Sequence, residues 1–206
     1  MAYFAALLAR SADRWSARDA DLDDIEDLAD LADFVRRAWA DEEDEPETGL
    51  LLLEQEDVWF AVVRIDVEED PRLFVSDAAA VSRSAHADLL LGETLVPIGP
   101  DGGLLGEPAD TEEPEPGAEA DEGGAEEPGE VAETLAFVQP EEAAGLGGPG
   151  RRALPAGPAG DPDLLSDFGV TAPRLTQLCL GGMLPADAIA ELAEALGAAD
   201  ELEEVR

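Results

Sequence analysis

The sequence predicts an α+β fold. A mainly antiparallel sheet in the order β-α-β-β-β-α occupies residues 1–98, a long disordered acidic linker residues 99–160, and a small C-terminal helical segment residues 161–206. Three observations lead there. Two apolar runs meet at a tight connection at Glu56-Asp57, the pattern of a hairpin. Between Asp23 and Trp39 the apolar residues recur every three or four positions, the period of a helix with one buried face. From about Gly99 onward Gly, Pro and acid replace apolar patterning, and such a stretch buries too little surface to offset roughly 1–2 kcal/mol of ordering entropy per backbone residue.

Taken in order, Ala2 to Ala9 (AYFAALLA) is a short apolar run that suits a buried strand, with a turn-like segment after it. The helix over Asp23 to Ala38 carries Ile25, Leu28, Leu31, Ala32 and Val35, with Trp39 next in phase. Acids at Asp23, Asp24, Glu26 and Asp27 and arginines at Arg36 and Arg37 match the polarity of its dipole. An acidic loop follows, and then Gly49 opens LLLLEQEDVWFAVVRID, which divides into two strands. On the second, Trp59, Ala61, Val63 and Ile65 point one way, while Val58, Phe60 and Val62 point the other with Arg64. Both faces are apolar. Either the strand is central and covered on both sides, or one face is open to a partner or a second copy.

Arg72 to Ser76 (RLFVS) supplies a further strand, and Asp77 is placed to cap a helix running through the alanines to about Leu91. Short connections make the three consecutive strands antiparallel. Inside the linker one apolar island stands out, Val131 to Val138. In the C-terminal segment Leu164, Leu165 and Phe168 form a helical turn. Thr171 starts a helix bearing Leu175, Leu178 and Cys179, which Gly181-Gly182 end. Pro185 opens another with Ala188, Ile189, Leu192, Ala193 and Leu196 in a stripe, and Gly197 stops it. So small a segment has too little core of its own and is expected to dock on the N-terminal unit or on a partner.

Charge bounds the function. The 206 residues include 50 acids against 12 basic residues, all arginine, for a formal net charge of −38. A polyanion of this kind repels nucleic acid and anionic membrane and favours either free solubility or a basic protein partner. One cysteine and no basic, apolar leader fit a reducing, cytoplasmic setting, and no apolar run approaches the roughly 20 residues that cross a bilayer.

Chemistry is sparse. His86, the sole histidine, lies in SRSAHADLL near a helix end, and Cys179 falls on the apolar face beside Leu175 and Leu178, where a thiol acts as a small hydrophobe. The acid run Asp41 to Asp44 lacks the alternating ligands and turn glycine of a calcium loop. GLGGPG and GPAG match no phosphate-binding loop, and a chain without lysine cannot make a Walker-type one. The reading assigns no catalytic, metal-binding or cofactor-binding residue and no cofactor.

The segments MAYFAALLAR with Trp15, DLDDIEDLADLADFVR, EQEDVWFAVVR, EDPRLFVSDAAA and GMLPADAIAELAEALG together resemble the actinobacterial tRNA adenosine deaminase-associated protein family. The resemblance spans roughly residues 2–95 and 161–206. It implies a setting in tRNA modification and hands over no catalytic residue. A zinc deaminase itself needs three His or Cys ligands and a glutamate in an HxE and PCxxC arrangement, and here His86 is followed by Ala87-Asp88 while Cys179 stands alone. The expected function is therefore a non-catalytic cytoplasmic accessory protein that acts by protein–protein interaction, the deaminase or another basic protein being its partner. Trp59, Phe60 and Phe74 are the candidate partner-binding anchors. The alternative is an acidic decoy whose linker occupies a basic surface by charge alone.

Overall fold

The computed structural model describes residues 3–12, 14–39, 46–55, 57–91, 95–104, 154 and 156–206. Among these, six strands form one sheet in the order β2-β1-β3-β4-β5-β6, and every neighbouring pair is antiparallel. The strands are β1 (Tyr3–Ser11), β2 (Arg14–Asp19), β3 (Thr48–Gln55), β4 (Trp59–Asp66), β5 (Arg72–Val75) and β6 (Ala159–Gly160). The helices are α1 (Leu28–Trp39), α2 (Ala78–Val81), α3 (Ala87–Leu90), α4 (Ala172–Leu180), α5 (Pro185–Leu196) and α6 (Ala199–Glu203), with a 3-10 turn at Ser166–Phe168. The α+β class and the antiparallel sheet are as expected from the sequence.

The central strands β1, β3 and β4 are buried on both faces, which is why they read as nearly unbroken apolar runs. Alternation divides their side chains between two cores. On one face Leu7, Leu51, Leu53, Trp59, Val63 and Ile65 pack under α1, α2 and α3. On the other, Leu8, Leu50, Leu52, Phe60, Val62 and Phe74 pack under α4, α5 and α6. The C-terminal segment thus docks on the sheet, and the described residues form one compact unit.

Several elements depart from the sequence reading. The strand β2 replaces the turn-like segment expected after the first strand. As an edge strand it buries only Trp15 well, with Ala17 half-buried, so its apolar signal is two residues long. The first helix starts at Leu28 rather than Asp23, because the Asp27 carboxylate accepts the Asp30 N–H at 2.8 Å and caps it there. Asp77 caps α2 as expected, accepting from the Ala80 N–H at 2.8 Å. That helix ends at Val81 instead of running to Leu91. The hydroxyls of Ser82 and Ser84 donate to the carbonyls of Ala79 and Val81, diverting acceptors that a continuing helix would use.

The ends of the segment expected as a linker also belong to the fold. Ile98 bridges to Leu104, Pro97 bridges to Ala159, and Ala159–Gly160 completes the sheet as β6. Gly160 sits at φ 107°, and a Cβ there would lie 2.1 Å from the Leu73 carbonyl oxygen, so only glycine permits this pairing. The remainder of that expectation, including the island Val131 to Val138, falls outside the described residues. The C-terminal expectations are met closely: α4 ends at Gly181, α5 opens on Pro185, and Gly197 at φ 73° closes it.

Candidate functional site

The three aromatics expected as partner anchors are divided between the two cores. Trp59 is 1% exposed under the α1 face, while Phe60 at 2% and Phe74 at 0% pack together under the C-terminal helices, their ring centroids 6.1 Å apart. None of the three reaches the surface. In this structure all three serve as packing residues of the two cores. Alternation on β4 alone separates Trp59 from Phe60, and the pairing of Phe74 with Val62 puts Phe74 on the Phe60 side.

The polar centre of the fold is Arg64, a residue that the sequence reading placed among apolar neighbours without giving it a role. Its Nε donates to both Asp66 carboxylate oxygens, at 2.8 and 3.2 Å, and one terminal nitrogen donates to the Leu164 carbonyl at 2.9 Å and to Asp167. The Phe168 ring lies under the guanidinium, 4.9 Å from its centroid. Burial works against the charge, but the hydrogen bonds to Asp167 and Asp66 and their negative charges outweigh it, and the Arg64 pKa is raised. The Asp167 carboxyl is likewise held below its ordinary value: partial burial opposes ionisation, and Arg64 overcomes it.

Asp66 extends the cluster. Its carboxylate accepts the Thr48 hydroxyl at 2.7 Å, and its backbone carbonyl accepts two N–H donors of Arg36 from α1. Arg72, on the neighbouring strand, reaches Asp161 at 3.4 Å. The arrangement joins α1, the sheet and the start of the C-terminal segment. Arg64 is already engaged through two of its nitrogens, so chemically it is a clamp and not an open anion site. Its sequence signal was a lone arginine in VVRID with an acid two positions on.

His86 and Cys179 lie on opposite faces of the sheet. His86 stands edge-on to Tyr3, with ring centroids 4.6 Å apart, and to Trp59 at 6.2 Å. Burial lowers its pKa against an opposing pull from Asp23, which favours the neutral imidazole. Cys179, in the other core, makes a long contact of 3.6 Å to the Leu175 carbonyl, and burial pushes its thiol up to about 12. That is the opposite of an activated nucleophile. Among the described residues no group of three His, Cys, Asp or Glu side chains is placed to hold a metal ion, and no helix is long and apolar enough to cross a membrane.

One protein-family model matches the chain, over residues 3–123: the Rv3753c-like tRNA adenosine deaminase-associated protein family. No curated protein and no solved structure matches it.

Proposed function

Because the chain belongs to the Rv3753c-like tRNA adenosine deaminase-associated protein family, we propose that it is a non-catalytic cytoplasmic accessory protein that binds the tRNA adenosine deaminase. The family description supports the partner. One structural observation supports the non-catalytic part: the sole histidine and the sole cysteine lie on opposite faces of the sheet, too far apart to act as a pair, and burial keeps the Cys179 thiol protonated. The strong acidity supports a protein partner over tRNA itself, since a polyanion gains nothing from releasing counterions at a phosphate backbone.

The contact surface in this reading is a rigid one. Trp59, Phe60 and Phe74 stiffen the sheet from within, and exposed side chains on the strands and helices they support meet the partner. Light scattering after size exclusion, on this protein mixed with the purified deaminase at low and at physiological salt, tests the proposal. A complex that persists at both salts is the expected outcome. Absence of a complex at low salt, where attraction between an acidic and a basic protein is strongest, removes the deaminase as partner.

A further inference from the structure

We propose that the cavity bounded by α1, β5 and the start of the C-terminal segment binds a free α-amino acid with a large apolar side chain. The inference goes beyond the accessory role and does not depend on the deaminase being the partner. The cavity holds about 550 Å³, within the range of roughly 300–1,000 Å³ typical of small-molecule sites. Leu28 at the start of α1, Leu73 of β5, Leu90 at the end of α3, Leu95 and Leu104 give it an apolar lining. Leu104 is left 39% exposed, and an apolar body in the cavity would cover it.

One corner of the same cavity is charged, being lined by Arg72, Asp161 and Asp163. Asp161 is fixed in place: its N–H donates to the Leu73 carbonyl at 2.8 Å, and its Oδ1 accepts the Asp163 N–H at 2.9 Å. Its Oδ2 faces a terminal nitrogen of Arg72 at 3.4 Å. Arg72 comes no closer than 4.0 Å to the Asp66 carboxylate, and its Nε is buried without a partner. Charge-assisted hydrogen bonds close to about 2.7–2.9 Å, so this guanidinium keeps donor capacity that the fold leaves unused. Asp163, which is exposed, adds a second carboxylate at the mouth.

The pairing of opposite charges beside an apolar lining selects the ligand. A lone anion meets repulsion from Asp161 and Asp163, a lone cation meets Arg72, and an uncharged ligand leaves the charged corner no better paired. A zwitterion satisfies both signs, its carboxylate going to Arg72 and its ammonium to Asp161 and Asp163. The two charges of an α-amino acid are joined through a single carbon, and the site's own opposite charges stand 3.4 Å apart, so the head group fits across one loose ion pair. The leucine-lined remainder of the cavity takes the side chain. A segment of a polypeptide does not substitute, whether it comes from a partner or from a second copy. Within a chain the amino and carboxyl groups on each α-carbon are spent in peptide bonds, and a terminus offers only one of the two charges.

Isothermal titration calorimetry on the full chain with L-leucine and L-phenylalanine tests the proposal, and thermal unfolding supplies a second readout. The expected result is saturable binding of at least one of them and an unfolding midpoint that rises with its concentration. Isocaproate and isoamylamine, which are leucine without its amino group and without its carboxyl group, should each bind about tenfold or more weakly. Arg72→Met should weaken leucine binding by a similar factor. Asp163→Asn should weaken leucine binding several-fold and leave isocaproate binding no weaker, and because Asp163 is exposed this variant keeps the test decisive should Arg72→Met fail to fold. No saturable binding of either amino acid, binding of isocaproate or isoamylamine as tight as that of leucine, or leucine affinity unchanged in Asp163→Asn would overturn the proposal.

Discussion

Arg64 ties β4 directly to the start of the C-terminal segment. Its guanidinium holds Asp66 on its own strand and the Leu164 carbonyl and Asp167 a hundred residues later, so one side chain completes contacts that no local sequence pattern announces. Arg64→Met keeps much of the stem's packing but leaves Asp66 and Asp167 without their cation. The expected loss is roughly 2–4 kcal/mol, less than for a fully buried pair because Asp167 is half exposed, and denaturant titration measures it. His86 gives a prediction with a sign. Its folded pKa lies below the ordinary 6.5, so between those two values the unfolded chain holds a proton that the folded chain does not, and stability falls as the pH is lowered through that window. Unfolding midpoints taken from about pH 7.5 to about pH 5.5 should decline in the native protein and decline less in His86→Phe, which keeps a ring between Tyr3 and Trp59 but has nothing to protonate. The sequence placed His86 near a helix end; the aromatic rings that pack against it, Tyr3 and Trp59, come from β1 and β4.

Among the elements, α1 illustrates how a helix and a strand fit by removing an atom. Trp39 in its last turn lies over Gly49 at the start of β3, where a Cβ would approach the indole to 2.5 Å. Gly49→Ala must therefore push Trp39 aside, at an expected cost of about 1–3 kcal/mol, read from the shift in thermal or denaturant midpoint. A compensating Trp39→Phe in the same background should recover part of that loss. Element type was largely legible from the sequence: the hairpin, the amphipathic helix, and the Pro-opened, Gly-closed α5 all follow from period and capping chemistry. Element ends were less so. The start of α1 depends on a single carboxylate cap, and the break between α2 and α3 on serine hydroxyls that compete for carbonyls. The edge strands escaped notice because an edge buries one side at most, leaving β2 with two apolar residues and β6 with a glycine forced by the nearby Leu73 carbonyl.

At the scale of the whole molecule, the C-terminal segment forms one wall of the fold. Its Leu164, Leu165, Ile189 and Leu192 cover the sheet face that holds Phe60, Phe74 and Leu50, and the Trp15 indole donates to the Leu196 carbonyl at 2.9 Å across it. Removal of residues 159–206 should expose that face together with β5's outer edge. Such a chain should bind the dye ANS and lose the cooperative unfolding of the full-length protein; a truncated chain that unfolds cooperatively would show that the tail is dispensable. Taken alone, the sequence determined the class of fold, the apolar strands, the helix periods, the acidity and the want of a deaminase's metal ligands, because each follows from residue type and short-range spacing. Only the tertiary structure decided that both faces of the central strands are covered, that Trp59, Phe60 and Phe74 are interior, that Arg64 clamps β4 to the start of the C-terminal segment, and that β2 is left as an edge among the described residues. Those facts rest on contacts between residues tens to more than a hundred positions apart, and long-range pairing leaves no periodic trace in the segments it joins.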